Sequence, residues 1–174
     1  MSVDFYAAAI AHAKKNFKLK NVEYQIMDIR KEPFTGIYDN IIWDGAIEHF
    51  TLDEMDHILR KAHKQLKPQG ILSGYTIIGN EHGPSHDDHE YEFKSKLELK
   101  KLLEKHFKHV LVFDTKYPDR HNLYFFGSDI ALSFLKDFQD TVSQKSSGKI
   151  EILKAHDKDI PLSRDVDTIP AGYL

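Results

Sequence analysis

The sequence predicts an α/β fold: a mostly parallel sheet with helices on both faces and an antiparallel hairpin at its C-terminal end. Three observations lead to this prediction. Apolar residues switch repeatedly between helical and strand spacing across residues 1–128. Two segments carry the Ser/Thr-x-x-Glu pattern that begins helices, and the last two strand patterns are close enough in sequence to pair as a hairpin. The expected order is helix, strand, strand, helix, strand, helix, strand, strand.

The first elements occupy residues 1–45. Residues 3–5 are typical of the end of a buried strand that runs into a helix over residues 5–17, where apolar side chains recur at helical spacing. Lysines gather at the end of this helix, where the helix dipole favours cations. Residues 22–27 alternate as a strand does, and a loop with Pro33 and Gly36 follows. Residues 38–43 form a second strand pattern that opens into Asp44 and Gly45.

The later elements begin at a capping box of Thr51 and Glu54, which starts a helix that residues 67–70 are expected to end. A strand over residues 71–78 and a polar, histidine-rich loop come next. A second capping box, Ser95 with Glu98, starts another helix. Residues 110–113 and 122–126 predict a hairpin with its turn at residues 118–119, and residues 130–138 predict a short helix.

Length and composition bound the class of protein. The 174 residues suit one domain, which we place at residues 1–140, followed by a C-terminal extension or arm over residues 141–174. The 24 basic and 27 acidic residues are well mixed, so no basic stripe points to nucleic acid as a partner. No apolar run approaches the roughly 20 residues that cross a bilayer, and there is no cysteine for disulfides or thiolate sites. We expect a soluble, cytoplasmic protein without a membrane partner.

Several short segments, in their order and spacing, resemble the class I S-adenosylmethionine-dependent methyltransferases, which have a Rossmann-like fold. These segments are residues 3–5 before the first helix, Asp28 with residues 33–34 behind it, residues 38–44 followed by 48–50, and residues 66–70 before a strand. The resemblance covers about residues 1–128 and is greatest for methyltransferases that act on small molecules or sugars. It implies S-adenosyl-L-methionine as the cofactor and a small-molecule or sugar acceptor.

The resemblance also implies which residues hold the cofactor. Asp4 matches the acidic residue that accepts hydrogen bonds from the ribose hydroxyls, although an Asp before a helix is also an ordinary N-cap. Phe5 would lie against the adenine face, or be a core residue. Asp28, with the backbone of Ile29 beside it, matches the residue that receives the adenine amino group, or it closes an Asx turn. Asp44 would lie near the methyl group.

Glu48 and His49 follow the central strand, where the resemblance places the acceptor. Methyl transfer needs an oriented nucleophile and sometimes a base, so His49 is the candidate base, with Glu48 beside it. Alternatively, His49 packs below the capping box as a satisfied polar residue.

The histidine-rich loop and the hairpin supply the candidate acceptor contacts. His86, His89 and Glu90 belong to a dense group of imidazoles and carboxylates that could suit a transition metal, but their position in a loop favours a substrate-facing lid, and we predict no metal site. Arg120 could bind an anionic acceptor or cap the hairpin.

The sequence departs from the family at its front, because the glycine-rich first loop, the strand before it and most of the second strand have no counterpart here. As an N-terminally truncated domain, it would expose two strand edges. Either residues 22–27 pair with residues 38–43 in a smaller sheet, or a homodimer or partner chain covers the edge, with the arm from residue 141 on a neighbour. The alternative function is a catalytically inactive domain that acts as a binding or scaffold partner.

Overall fold

The computed structural model describes residues 1–79, 85–116 and 121–132, which belong to one compact unit, Met1–Leu132. Within these residues the chain has the predicted α/β class and element order, with a short strand in front. The helices are α1 (Ala7–Asn16), α2 (Leu52–Gln65) and α3 (Lys96–Leu103). The strands are β1 (Ser2–Asp4), β2 (Tyr24–Ile26), β3 (Tyr38–Asp44), β4 (Leu66–Ile77), β5 (His109–Lys116) and β6 (His121–Ser128).

The strands form two sheets. β1 and β2 make a parallel pair, and the second sheet has the order β3-β4-β6-β5. In it β3 is parallel to β4, whereas β6 is antiparallel to both β4 and β5, so the predicted hairpin is confirmed. Of the two predicted ways to cover the open edges, the pairing of residues 22–27 with residues 38–43 is wrong, because β2 pairs with β1. Among the described residues, the terminal strands of the two sheets, β1, β2, β3 and β5, each have one edge without a partner strand.

The core lies between one face of the four-stranded sheet and helices α2 and α3. Since side chains alternate along a strand, every second residue of β4 and β6 points into it. The main buried side chains of this core are Trp43, Met55, Ile58, Leu59, Leu72, Leu99, Leu102, Leu103, Leu123 and Phe125. The other face carries aromatic rings, with Phe113 stacked on Tyr124 at a centroid distance of 5.2 Å. Helix α1 packs against β1 and β2.

The two predicted capping boxes differ. At α2 the box is complete: the Glu54 N–H donates to Thr51 Oγ1 at 3.4 Å, and the Thr51 N–H donates to the Glu54 carboxylate at 3.0 Å. At α3 it is half formed, because Ser95 accepts from the Glu98 N–H but the Glu98 carboxylate accepts from Lys94 and from the Tyr91 hydroxyl. That hydrogen bond to Glu98, with burial, raises the pKa of Tyr91 to about 12.

Residues 67–70 do not separate α2 from the next strand as predicted, because β4 begins at Leu66, directly after the helix. Leu66 pairs with Tyr38 and Ile71 pairs with Asn40, so the intervening residues form an irregularity in the β3–β4 ladder. Lys67 Nζ bonds the Asp39 carboxylate at 2.8 Å across this irregularity.

The predicted hairpin turn, most of the helix over residues 130–138 and the boundary at residue 140 lie outside the described residues, so that domain division stays a prediction. The longest described helix, α2, has 14 residues, and no helix in the described part of the chain is long and apolar enough to cross a membrane.

Candidate functional site at the carboxyl ends of the parallel strands

Three aspartates lie at or just after the ends of strands β1, β2 and β3. Asp4 is the last residue of β1, Asp28 comes two residues after β2, and Asp44 is the last residue of β3. In the β1–β2 pair Asp4 is aligned with Ile26, and the Met27 N–H donates to the Asp4 carbonyl at 2.9 Å. Asp4 and Asp28 thus lie at the carboxyl end of the same sheet, the end at which open α/β sheets bind ligands.

Asp4 and Phe5 are both exposed. An Asp4 carboxylate oxygen accepts from the Tyr6 N–H at 2.7 Å, and α1 begins at Ala7 with Tyr6 as its N-cap, so the alternative of Asp4 as N-cap is wrong. The Phe5 residue is 65% exposed, so it is not a core residue either. A ring this exposed is open to stacking by a flat ligand.

Asp28 is tied to its own loop. Arg30 donates to its carboxylate from Nε at 2.8 Å and from Nη2 at 3.0 Å, and the Arg30 N–H closes the Asx turn at 3.1 Å. The hydrogen bond from the Arg30 side chain holds the pKa of Asp28 well below its usual range. Beside it, the Ile29 carbonyl accepts from Lys61 Nζ at 2.6 Å.

Asp44 ends β3 as an exposed residue, yet the neighbouring chain desolvates its carboxyl group in part, and this desolvation raises its pKa. The chain turns at the next residue, Gly45, which has φ of +53° and donates its N–H to the Tyr75 carbonyl at 3.0 Å. A Cβ on Gly45 would lie 2.8 Å from the Tyr75 hydroxyl oxygen, so this turn requires glycine. The turn directs the chain from β3 into the short 3₁₀ helix Ile47–His49.

Glu48, in this 3₁₀ helix, is a buried acidic residue with 5% exposure. The hydroxyl of Thr76, itself fully buried in β4, donates to the Glu48 carboxylate at 2.9 Å. The Glu48 carbonyl accepts from the N–H groups of Glu90 and Tyr91 at 3.0 and 3.1 Å. Glu48 therefore joins the end of β3 to β4 and to the histidine-rich loop.

The loop brings three histidines together. His49 Nδ1 lies 3.0 Å from the Asp88 carbonyl oxygen, and the His89 ring lies 5.0 Å from the rings of both His49 and His86, measured between centroids. His89 Nδ1 is 2.6 Å from a carboxylate oxygen of Glu92. The sequence-predicted residues Glu48, His49, His86 and His89 thus form one cluster.

Two predicted contacts stand apart from this cluster. Glu90 contacts the cluster only through its backbone N–H, which donates to the Glu48 carbonyl, and the residue itself is exposed. Arg120 lies outside the described residues. The sequence analysis did not identify Thr76. Its only sequence signal is that a residue with a hydroxyl group occupies one of the alternate positions of β4 that point into the core.

Comparison with known proteins gives the family. A profile of the methyltransferase-domain family matches residues 1–138, whereas no curated protein is significantly similar in sequence. The fold is similar to that of SibL, an S-adenosylmethionine-dependent methyltransferase in its apo form, with a TM-score of 0.60 and 12% identity. It is also similar to the fold of DhpI in complex with SAH, with a TM-score of 0.58 and 18% identity. For LepI in complex with SAM the TM-score is 0.54 and the identity is 10%.

The coverage of these structures is unequal. The match to SibL covers 74% of this chain and 42% of SibL, and the match to DhpI covers 74% of this chain and 65% of DhpI. The match to LepI covers 72% of this chain and 35% of LepI. This chain therefore spans less than two thirds of the length of each of these proteins. At these identities the similarity shows the fold alone. The profile match, however, covers well over half of the chain. The chain therefore belongs to the methyltransferase-domain family.

Proposed function

We propose that the chain works as an S-adenosylmethionine-dependent methyltransferase that acts on a small-molecule or sugar acceptor. The observation that carries this proposal is the placement of Asp4 and Asp28 at the carboxyl end of the β1–β2 pair and of Asp44 at the end of β3, with Glu48 and His49 following β3. The family match supports methyl transfer and gives no support to the alternative of an inactive scaffold. A cytoplasmic location stays a prediction.

On this proposal, the β1–β2 end binds the nucleoside. Asp4 accepts hydrogen bonds from the ribose hydroxyls, and Phe5, already exposed, covers the adenine face. Asp28 and the backbone of Ile29 receive the adenine edge, and because Asp28 is held ionised by Arg30 it is a constant acceptor near neutral pH. Asp44 lies toward the methyl group.

The acceptor end is the cluster of Glu48 and the histidines. When bound, the cofactor would supply an electrophilic methyl group, and the acceptor oxygen or nitrogen that takes this group must lose a proton. His49 donates from Nδ1 to the Asp88 carbonyl, which leaves the Nε2 lone pair to take that proton. We propose that His86, His89, Glu90 and Arg120 contact the acceptor.

Calorimetric titration of S-adenosylmethionine and S-adenosylhomocysteine into the full chain tests the cofactor site. We expect micromolar binding that Asp4→Ala weakens by about 10- to 100-fold, because charge-assisted hydrogen bonds are worth roughly 1.5–3 kcal/mol. Asp39→Ala, which removes another exposed carboxylate, in β3, should bind as the unchanged chain does. No heat at millimolar ligand, or equal weakening by both variants, would contradict the proposal.

We also propose that a second copy of the chain covers the open edge of β3. Parallel strands are normally covered on both faces, yet Ile42 in the middle of β3 is 69% exposed and Ile37 just before it is 59% exposed. An edge strand with exposed apolar side chains is a template for pairing with another chain. The arm over residues 141–174, which lies outside the described residues, stays the predicted cover on the neighbour.

Sedimentation at increasing protein concentration tests this pairing. We expect the unchanged chain to dimerise in the micromolar range and Ile42→Lys to stay monomeric, because a charge in the paired edge is costly to bury. Leu97→Lys replaces a similarly exposed side chain, 58% exposed on α3, and should leave the dimer intact. A monomeric unchanged chain at about 100 μM would end the proposal.

A further inference from the structure

Three potential metal ligands converge behind the end of β3. Glu48, His49 and His89 each offer a ligating atom, and these atoms lie within 4.8 Å of one another. Glu48 and His49 come from the 3₁₀ helix, and His89 comes from the loop after β4, so the convergence depends on the fold and not on neighbouring positions in the sequence.

Both imidazoles already make the kind of hydrogen bond that supports metal-binding histidines. Such a histidine donates one ring N–H to a carboxylate or a backbone carbonyl and offers its other nitrogen to the ion. His49 Nδ1 bonds the Asp88 carbonyl at 3.0 Å, and His89 Nδ1 bonds the Glu92 carboxylate at 2.6 Å. Neither Nε2 has a hydrogen-bond partner among the described residues, so Nε2 is the nitrogen that each ring has available.

The groups behind the ligands are buried and fixed. The side chains of His89 and Glu92 are 6% and 4% exposed. The Glu92 carboxylate also accepts hydrogen bonds from the Ser85 N–H at 2.7 Å and from the Ser85 hydroxyl at 2.6 Å, which hold it in place beside His89. On the other side, Thr76 orients the Glu48 carboxylate. These contacts give each ligand a supporting partner before any ion binds.

We propose that Glu48, His49 and His89 bind a divalent transition-metal ion of the Zn²⁺ type. Two imidazoles and one carboxylate suit Zn²⁺ and the neighbouring first-row ions, and three protein ligands leave a position open for water or another oxygen ligand. With Zn–N and Zn–O distances of about 2.0–2.2 Å, tetrahedral ligands lie about 3.3 Å apart. The three atoms, now within 4.8 Å of one another, would have to approach by up to about 1.5 Å to reach that spacing.

The metal site stands independently of methyl transfer, although its consequence for the reaction rests on the proposed function. In the metal-bound chain His49 is a ligand and cannot also take the acceptor's proton. A metal ion that binds the acceptor oxygen lowers the pKa of that oxygen, so the ion would take over the activating role from His49.

Calorimetry and the visible absorption of Co²⁺ test the site in the full chain after treatment with a chelator. We expect one equivalent of Zn²⁺ or Co²⁺ to bind, with affinity lowered about 100-fold or more in His89→Ala and in His49→Ala. Glu92→Gln removes only the supporting carboxylate and should weaken binding by about 10- to 100-fold. His109→Ala removes an exposed histidine from β5 and should leave binding unchanged.

Two results would overturn the proposal. One is the absence of Zn²⁺ and Co²⁺ binding at about 100 μM ion, a concentration well above the dissociation constant of a built site. The other is equal binding by the unchanged chain and His49→Ala, which would place the ion elsewhere; His49 is a third exposed, so this variant should fold even if His89→Ala does not. Cofactor titration is a separate measurement, so failure of this site is distinguishable from failure of the methyltransferase proposal.

Discussion

Replacing Gly74 with alanine should lower the free energy of unfolding by about 3 kcal/mol or more. Gly74 lies in β4 between Trp43 of β3 and Phe125 of β6. A Cβ at this position would lie 2.0 Å from the Trp43 carbonyl oxygen and 2.5 Å from the Phe125 ring. The ring could turn only by disturbing the core, and the carbonyl could retreat only by opening the β3–β4 ladder that positions Asp44 and Glu48.

Urea denaturation, followed by circular dichroism and by the fluorescence of Trp43, measures this effect. Trp43 is the single tryptophan and is 7% exposed, so its emission reports on the same strand contact. Ser73→Ala, one residue away in β4, is the matched control and should change the free energy of unfolding by less than about 0.5 kcal/mol. A Gly74→Ala chain as stable as this control would show that the close approach of β3 and β4 is not needed.

Local patterns predicted the helices well because their signals lie within a few residues. Thr51 and Glu54 are three residues apart and form the complete capping box that the sequence indicates. The same pattern at Ser95 predicted a complete capping box, but only half of it forms. The Glu98 carboxylate accepts instead from the Tyr91 hydroxyl and the Lys94 N–H, and neither residue belongs to the four-residue motif.

Strand pairing was harder to predict, because it is decided by contacts between distant segments. Pro68 and Gly70 indicated a break after α2, yet the chain enters β4 at Leu66, where the Tyr38 strand offers a partner. The order of the strands within each sheet likewise depends on which strands pair most favourably, and the sequence pattern of a single strand does not show this.

The candidate site was predictable only in part. Glu48 and His49 were found because they follow a strand and are adjacent in the chain. Their convergence with His89 depends on the length of β4 and on the return of the loop to the Glu48 carbonyl. The role of Thr76 could be seen only once its hydroxyl was placed beside a buried carboxylate. For the same reason the histidine-rich loop, predicted to hold no metal, carries the metal-site proposal in the folded chain.

Replacing His49 with asparagine should lower kcat for methyl transfer by about 10²- to 10⁴-fold, the usual contribution of a positioned general base. The asparagine amide can still donate to the Asp88 carbonyl, so the loop keeps its anchor while the Nε2 nitrogen is lost. Release of S-adenosylhomocysteine in the presence of small-molecule and sugar acceptors measures the rate. The affinity for S-adenosylmethionine should change less than about twofold, because the proposed nucleoside contacts lie at the carboxyl end of the β1–β2 pair, apart from His49 in the sequence and in a different sheet from β3.

His89→Asn separates the two roles that His49 can have. If His49 acts only as a base, His89→Asn should retain much of its kcat, because its amide can still bond Glu92 and hold the loop, and the lost acceptor contact should appear in the KM for the acceptor. If His49 acts as a metal ligand, both variants should lose Zn²⁺ binding and activity together, since removing either imidazole opens the same site. His109→Asn, on the exposed start of β5, should behave as the unchanged chain. Activity above about a tenth of the original in His49→Asn would contradict both roles, because either one requires the Nε2 lone pair.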